Sequence, residues 1–217
     1  MVREIRNIEN NLEIELNKFW DWSGKSPEQY SMDRGYGEWE VDYPNWIPLI
    51  ICFNNAVRFI KRGHNSERLV SLLLDVIALD NEGETLLDEC VTSLDDNDFE
   101  FIIQCSITHI QSEARWQIAS MIGIKQKKKW ERYLLKFIED NNKYVQRRAL
   151  LALYNFDVKK ATTIALLKIK DEDEYMRLAS LDILYLSGYE NLVDVMKLLK
   201  YDKSLIIQQK IRDINKK

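Results

Sequence analysis

Glycine and proline are scarce in this chain, 7 and 3 among 217 residues, which removes the turn punctuation that a many-stranded barrel or sandwich requires. Cysteine is scarce too: Cys52, Cys90 and Cys105 are odd in number, show no C-x-x-C spacing and sit in apolar contexts. They read as reduced core thiols rather than a disulfide framework or a structural zinc site. Histidine occurs twice, His64 beside Gly63 in a turn and His109 late in an expected helix, and neither has Asp, Cys or Ser at a recognisable motif spacing. Both read as structural. G-x-x-x-x-G-K-[ST], G-x-G-x-x-G, G-x-S-x-G and H-E-x-x-H are all absent, so the expectation is a protein that is not an enzyme and needs no cofactor. Asp80-Asn81-Glu82-Gly83 is too short for a calcium loop, and no metal site is expected. No apolar run approaches 18 residues, and Met1-Val2-Arg3-Glu4 leads into mixed charge, so the reading is cytoplasmic, with no membrane contact.

What is present points to helices. Apolar residues make up 46% and charged residues 30%, and a chain of this length buries about 70% of its unfolded surface. One domain is expected over 1–217, with N-terminal helices and an aromatic loop in 1–63 and helix pairs in 64–217. The net charge of −4 hides an asymmetry. Residues 1–124 carry 10 Lys and Arg against 22 Asp and Glu, while residues 125–217 carry 21 against 13. The chain is strongly dipolar along its length.

Four segments recur in the C-terminal part: Ala114-Arg115-Trp116-Gln117-Ile118-Ala119, Val145-Gln146-Arg147-Arg148-Ala149-Leu150, Tyr175-Met176-Arg177-Leu178-Ala179-Ser180 and Leu205-Ile206-Ile207-Gln208, with starts 31, 30 and 30 residues apart. Between them lie second amphipathic stretches, 130–138, 162–169 and 192–199, whose apolar positions recur at three and four. Each unit is therefore a helix pair. The connectors Glu139-Asp140-Asn141-Asn142-Lys143 and Lys170-Asp171-Glu172-Asp173-Glu174 put acids and Asn where a helix N-terminus favours them. This pattern resembles the HEAT-repeat family in its short bacterial form, whose second helix opens with a Val-Arg-x-x-Ala-like sequence after an acidic turn. It is clearest in 139–153 and extends over 98–215, departing from the family in lacking Pro in the first helices and in having Gln146 and Met176 where Arg is usual. The resemblance implies a right-handed α-solenoid of antiparallel helix pairs, and the apolar faces, too large to bury within one pair, require the same stacking.

Further helices are expected at 1–22, 47–61, 66–79, 84–94 and 98–110, with Ser66 and Asp98 as N-caps. The loop Ser23 to Asn45 holds three glycines and two prolines. Phe19, Trp20, Trp22, Tyr30, Tyr36, Trp39, Tyr43 and Trp46 crowd it and its flanks. It reads either as a cap on the apolar end of the array or as a recognition loop. Asp33, Glu38, Glu40 and Asp42 alternate through it, a pattern that becomes acid–base chemistry only at a fixed separation.

From Leu69 to Ala114 there is no Lys or Arg, against eleven carboxylates. Such a run repels itself; it reads either as a solvated acidic face or as a surface with a basic complement, in a partner or within the chain. The expected partner-binding residues are Asp80, Glu82, Glu84, Asp88, Glu89, Asp95, Asp96, Asp98 and Glu100, with Tyr36, Trp39, Tyr43 and Trp46 as aromatic anchors. Within this class the chain is similar to bacterial immunity proteins that neutralise nuclease toxins, the acid stretch imitating phosphate toward a basic cleft. Two alternatives stand: a nucleic-acid-binding or DNA-repair HEAT-like protein using Lys125, Lys127, Lys128, Lys129, Arg132, Lys143, Arg147, Arg148, Lys159 and Lys160, and a general assembly or regulatory adaptor.

Overall fold

The computed structural model describes residues 2–35, 37–80 and 82–216, and these residues form 14 α-helices and one short 3₁₀ turn, with no strand. The chain is all-α. It divides into two compact units, Met1–Ile118 and Ala119–Lys217. No helix among the described residues is long and apolar enough to cross a membrane.

The first unit is built on α1 (Val2–Ser23), α4 (Trp46–Ile60) and α5 (Glu67–Leu79), which pack on one another. Leu12, Leu16 and Phe19 recur at helical spacing on α1 and are fully buried, as are Leu49 and Phe53 on α4. Helix α5 is apolar nearly all round, with Leu69, Val70, Leu73, Leu74, Val76, Ile77, Ala78 and Leu79 all buried, so it is the central helix of this unit. Ser66 caps it, accepting from the Leu69 N–H at 3.0 Å and donating to Glu9 of α1 at 2.6 Å. Helices α2 (Pro27–Met32) and α3 (Trp39–Asp42) occupy the stretch expected to be a loop. Ser26 closes α2 with a capping box and Pro27 takes its first position, a local code that outweighs the glycines around it. Helices α6 (Thr85–Ser93), α7 (Asp96–Ser106) and α8 (Ser112–Lys125) follow. Helix α7 starts earlier than expected because Asp95, not Asp98, is the cap, accepting from the Asn97 and Asp98 amides. It ends before His109, which therefore lies in the α7–α8 connection and not in a helix.

In the second unit the 3₁₀ turn Lys128–Trp130 leads into α9 (Glu131–Ile138), α10 (Lys143–Tyr154), α11 (Val158–Lys168), α12 (Glu174–Leu186), α13 (Leu192–Leu198) and α14 (Leu205–Asn215). Helix α10 packs on α9, α11 and α12, and α12 on α11, α13 and α14. One turn plan recurs. Asp140, Asp171 and Asp202 each accept, through the side chain, the amide of the residue two positions on, at 2.8 to 3.0 Å. Six positions on, Gln146, Arg177 and Gln208 donate back to their main-chain carbonyls. The carboxylates also tie one pair to the next: Lys143 reaches Asp171 at 3.0 Å, and Arg177 grips Asp202 through two nitrogens at 2.7 and 2.8 Å, holding that carboxyl below its usual range. In the first unit the connection before α8 follows the same plan, with the His109 ring accepting the Gln111 amide at 3.3 Å and Arg115 donating to the His109 carbonyl.

These turns begin at 109, 140, 171 and 202, so the period is 31 throughout. The fully buried position that opens each helix is Ala114, Val145, Met176 and Ile207. The register read from the sequence, starting its third and fourth segments at Tyr175 and Leu205, slips by one and then two residues. Tyr175 and Leu205 are large but exposed, and they imitate the buried position. In the corrected register Arg115 and Arg177 align with Gln146.

Helices α8 and α10 approach closely at Gly123, where an added Cβ would lie 2.6 Å from the Ala152 Cβ and 2.8 Å from its Cα. Backbone blocks the space, so α10 must move. Gly123→Val is expected to cost about 1–3 kcal/mol by overpacking, measured by urea unfolding; wild-type stability in that variant would show that this approach is not tight.

Candidate functional site

The expected acidic residues fall into three groups. Asp80 is buried and works internally: its carboxylate accepts from the Leu86 amide at 2.7 Å and the Thr85 hydroxyl at 3.0 Å, capping α6 from a distance, while burial pushes its pKa up. Asp95 is exposed but holds the start of α7. Asp88, Glu89 and Asp96 are exposed on α6 and α7, Glu82 is exposed and meets Arg34 at 3.5 Å, and Glu84, Asp98 and Glu100 are half-buried. Burial, then the neighbouring Asp95, raises the Asp98 pKa.

The aromatic residues form a packed cluster on the C-terminal end of α1. Phe19 meets Trp20, Trp39 and Tyr43 edge-on at 5.0, 5.9 and 5.2 Å, and Trp22 lies 5.1 Å from Tyr43. Tyr43 and Tyr30 are buried. The Trp39 indole, half-buried, donates to the Tyr30 hydroxyl at 2.9 Å, and that hydroxyl donates to the Ala78 carbonyl at 3.4 Å, pinning the cluster to α5. Trp46 is half-buried at the start of α4, and Tyr36 lies outside the described residues. Asp33 lies in a turn with the Gly35 amide and Lys25.

A feature the sequence reading passed over lies between α5, α7 and the connection to α8. It is an open pocket of about 500 Å³ lined by Glu67, Ser71, Asp75, Phe101, Gln104, Cys105, Thr108, His109 and Ile110. Glu67, Ser71 and Asp75 share one face of α5 at helical spacing, which makes them the polar stripe of an otherwise apolar helix. Asp75 Oδ1 is enclosed without a hydrogen-bond partner and lies 3.6 Å from His109 Nε2. That distance would suit an ion pair, but burial decides otherwise. It raises the Asp75 carboxyl to about 7, opposed by the Gln111 side chain, and lowers the His109 imidazole to about 4. The imidazole is neutral, its Nδ1 already accepting from Gln111 and its proton therefore on Nε2. Burial, then the charge of Glu67, holds the Cys105 thiol up at about 11, so this cysteine is not a ready thiolate. Phe101 and Gln104 also wall a second depression of about 340 Å³ on α7, lined by Asn65, Asn97, Asp98 and Glu100.

Several of the expected basic residues of the second unit are engaged locally. Lys128 and Lys160 both bond Glu131, Lys143 pairs with Asp171, and Arg148 donates to Ser120 at 2.9 Å. Arg147 lies 4.7 and 5.0 Å from the Tyr144 and Tyr175 rings and 3.7 Å from Asp173. The thiols are free, with Cys90 buried and Cys52 and Cys105 only half-buried; His64 packs against Phe59 at 4.9 Å.

Two outcomes test this geometry. An added Cβ at Gly37 would lie 2.5 Å from the Trp39 ring, so Gly37→Ala should displace the indole, break its bond to Tyr30 and cost about 1 kcal/mol, with a red-shifted tryptophan emission; unchanged emission and stability would deny the packing. Asp75 and His109 make opposite pH demands. The folded state binds the Asp75 proton more tightly than the unfolded chain, so stability falls as pH rises from about 4 to about 7; it binds the His109 proton less tightly, so stability rises as pH goes from about 4 to 6.5. The two slopes offset each other. Asp75→Asn should leave a rise in stability across this window and His109→Gln a fall, read by denaturant unfolding at pH 4.5 to 7.5; identical slopes in both variants would refute the assignment. In comparisons with known proteins, no family model, no curated protein and no solved structure matches this chain.

Proposed function

We propose that this chain is a non-enzymatic protein-binding protein, a right-handed HEAT-like α-solenoid acting in the cytoplasm, whose acidic α6–α7 surface receives a basic protein. The observation that carries the reading is the 69–114 stretch, which contains no Lys or Arg and keeps Asp88, Glu89 and Asp96 exposed after Asp80 and Asp95 have been taken for helix capping. Like charges held together on adjacent short helices raise the energy of the free protein, and a cationic surface relieves it. The favoured partner is a nuclease-type toxin whose cleft is built to hold phosphate, the chain serving as its immunity protein. The aromatic cluster reads as the cap of the array rather than as a set of anchors, because Tyr43 is buried and Trp39 is bonded to Tyr30. Direct binding of nucleic acid by the basic half is disfavoured by the local pairing of Lys128, Lys143, Arg147 and Lys160. An adaptor role would use the same acidic surface.

The test compares wild type with the triple variant Asp88→Asn, Glu89→Gln and Asp96→Asn, which neutralises the surface and leaves the Asp80 and Asp95 caps in place. Tagged wild type should capture one basic protein stoichiometrically from native lysate after nuclease treatment, with affinity falling as salt rises, and the variant should bind it at least about tenfold more weakly. Equal capture by the variant, or recovery that disappears on nuclease treatment, would overturn the proposal.

A further inference from the structure

A partner drawn to the acidic surface must also be held there. Exposed carboxylates steer association but add little to residence, which comes from buried, desolvated contacts. The pocket between α5 and α7 has the chemistry for such a contact. Its wall is rich in acceptors, with the Glu67 carboxylate, the Asp75 carboxyl and the Ser71 and Thr108 hydroxyls, and it includes the half-buried Phe101 ring. It contains no lysine or arginine. Asp75 is half-buried and bonded by the Gln111 side chain, and its enclosed Oδ1 has no hydrogen-bond partner. Among the described residues, the titratable groups beside it supply no countercharge: Glu67 on its own helix and Glu28 of α2 are acidic, Cys105 of α7 is a protonated thiol, and His109 is neutral. The Arg115 guanidinium of α8 is turned to the His109 and Ile110 carbonyls. A buried carboxyl in such company favours any cation that can reach it. The neighbouring depression lined by Asp98 and Glu100 shares the Phe101 and Gln104 wall and adds acidic groups beside the pocket.

We infer that this pocket is a socket for one arginine side chain of the basic partner, with the guanidinium stacked on Phe101 and bonded to Asp75, and with Glu67, two helical turns away on the same face of α5, adding negative charge at the rim. A guanidinium fits better than an ammonium because it is planar, weakly hydrated and presents several donors in a fixed fork to separate acceptors. This inference rests on the acidic-surface reading for the identity of the partner, but the socket can be tested without one. Entry of the cation favours ionised Asp75, so binding expels a proton below about pH 7 and strengthens as pH rises.

The experiment titrates N-acetyl-arginine amide into the isotopically labelled full chain, followed by amide chemical shifts, with N-acetyl-citrulline amide as the uncharged isostere and N-acetyl-lysine amide as the ammonium arm. Arginine amide should give saturable shifts confined to Ser71, Asp75, Phe101, Gln104 and Thr108, with citrulline amide weaker by about tenfold or more and lysine amide between them. Affinity should increase from pH 5.5 to 7.5. Asp75→Asn should weaken binding about tenfold and flatten its pH dependence, and Glu67→Gln, at an exposed position on the rim, provides a variant whose fold is not at risk. Equal binding of arginine and citrulline amides, binding unaffected by both variants, or no shifts at the pocket would each overturn the socket. If the arginine probe binds while the neutralised α6–α7 surface captures the partner normally, the socket stands and the surface reading falls. If that surface proves necessary while Asp75→Asn captures the partner unchanged, the reverse holds.

Discussion

The first turn of a helix leaves backbone N–H groups without partners, and in this protein one solution to that constraint recurs every 31 residues. A side chain at the first turn position accepts an amide two residues on, and a long polar side chain four residues further returns to the main-chain carbonyl of the first. In the second unit the first position is aspartate at 140, 171 and 202, and the carboxylate is left with capacity for a cation from the preceding pair, as Lys143 and Arg177 show. One residue thus closes its own helix and fixes the spacing to the last one. In the first unit histidine stands at that position. His109 performs the same local bond through Nδ1, but its ring is larger, neutral and buried, and its other nitrogen faces Asp75. The substitution within a repeated turn is what produces the chemistry of the pocket.

The same accounting separates the carboxylates of the chain into those that build and those that remain at the surface. In the second unit acids and bases interleave, and Glu131 alone gathers Lys128 and Lys160, so part of the positive charge of this segment is paired locally. In the first unit the 69–114 segment has no cation of its own; Asp80 and Asp95 are taken up in capping, and Arg34 from outside the segment meets Glu82 and Glu113. Composition made the two halves look like mirror images, one acidic and one basic. Packing makes them different in kind, because screening by a bonded neighbour removes far more of a charge's field than distance along the chain does.

Asp75 shows how an apolar environment converts a common side chain into a tuned one. The helix that bears it is buried on nearly every face, because α1, α4 and α7 all pack against it. A carboxylate there loses water without gaining an ion pair, so it holds its proton toward neutrality, and the neighbouring imidazole gives its proton up for the same reason. The neutral pair sits at the floor of an opening that admits a ligand able to change that balance.

Helical periodicity, N-cap residues and the recurrence after residue 98 are local properties, carried by residues within one or two turns of each other, and they were legible in the sequence. The all-α class, the capping of α5 by Ser66 and the α10 start at Asn142 follow from them directly. The repeat was legible but its register was not, because exposed Tyr175 and Leu205 are as apolar on paper as the buried Met176 and Ile207 beside them. Of the expected site, sequence identified the acidic segment but not that Asp80 and Asp95 serve as caps, since Asp80 acts on a helix that begins five residues later across a turn. The pocket was hidden altogether. Asp75 and His109 are 34 positions apart in no motif, and only the packing of α7 against α5 brings them to 3.6 Å and removes the water that would have left their pKa values ordinary.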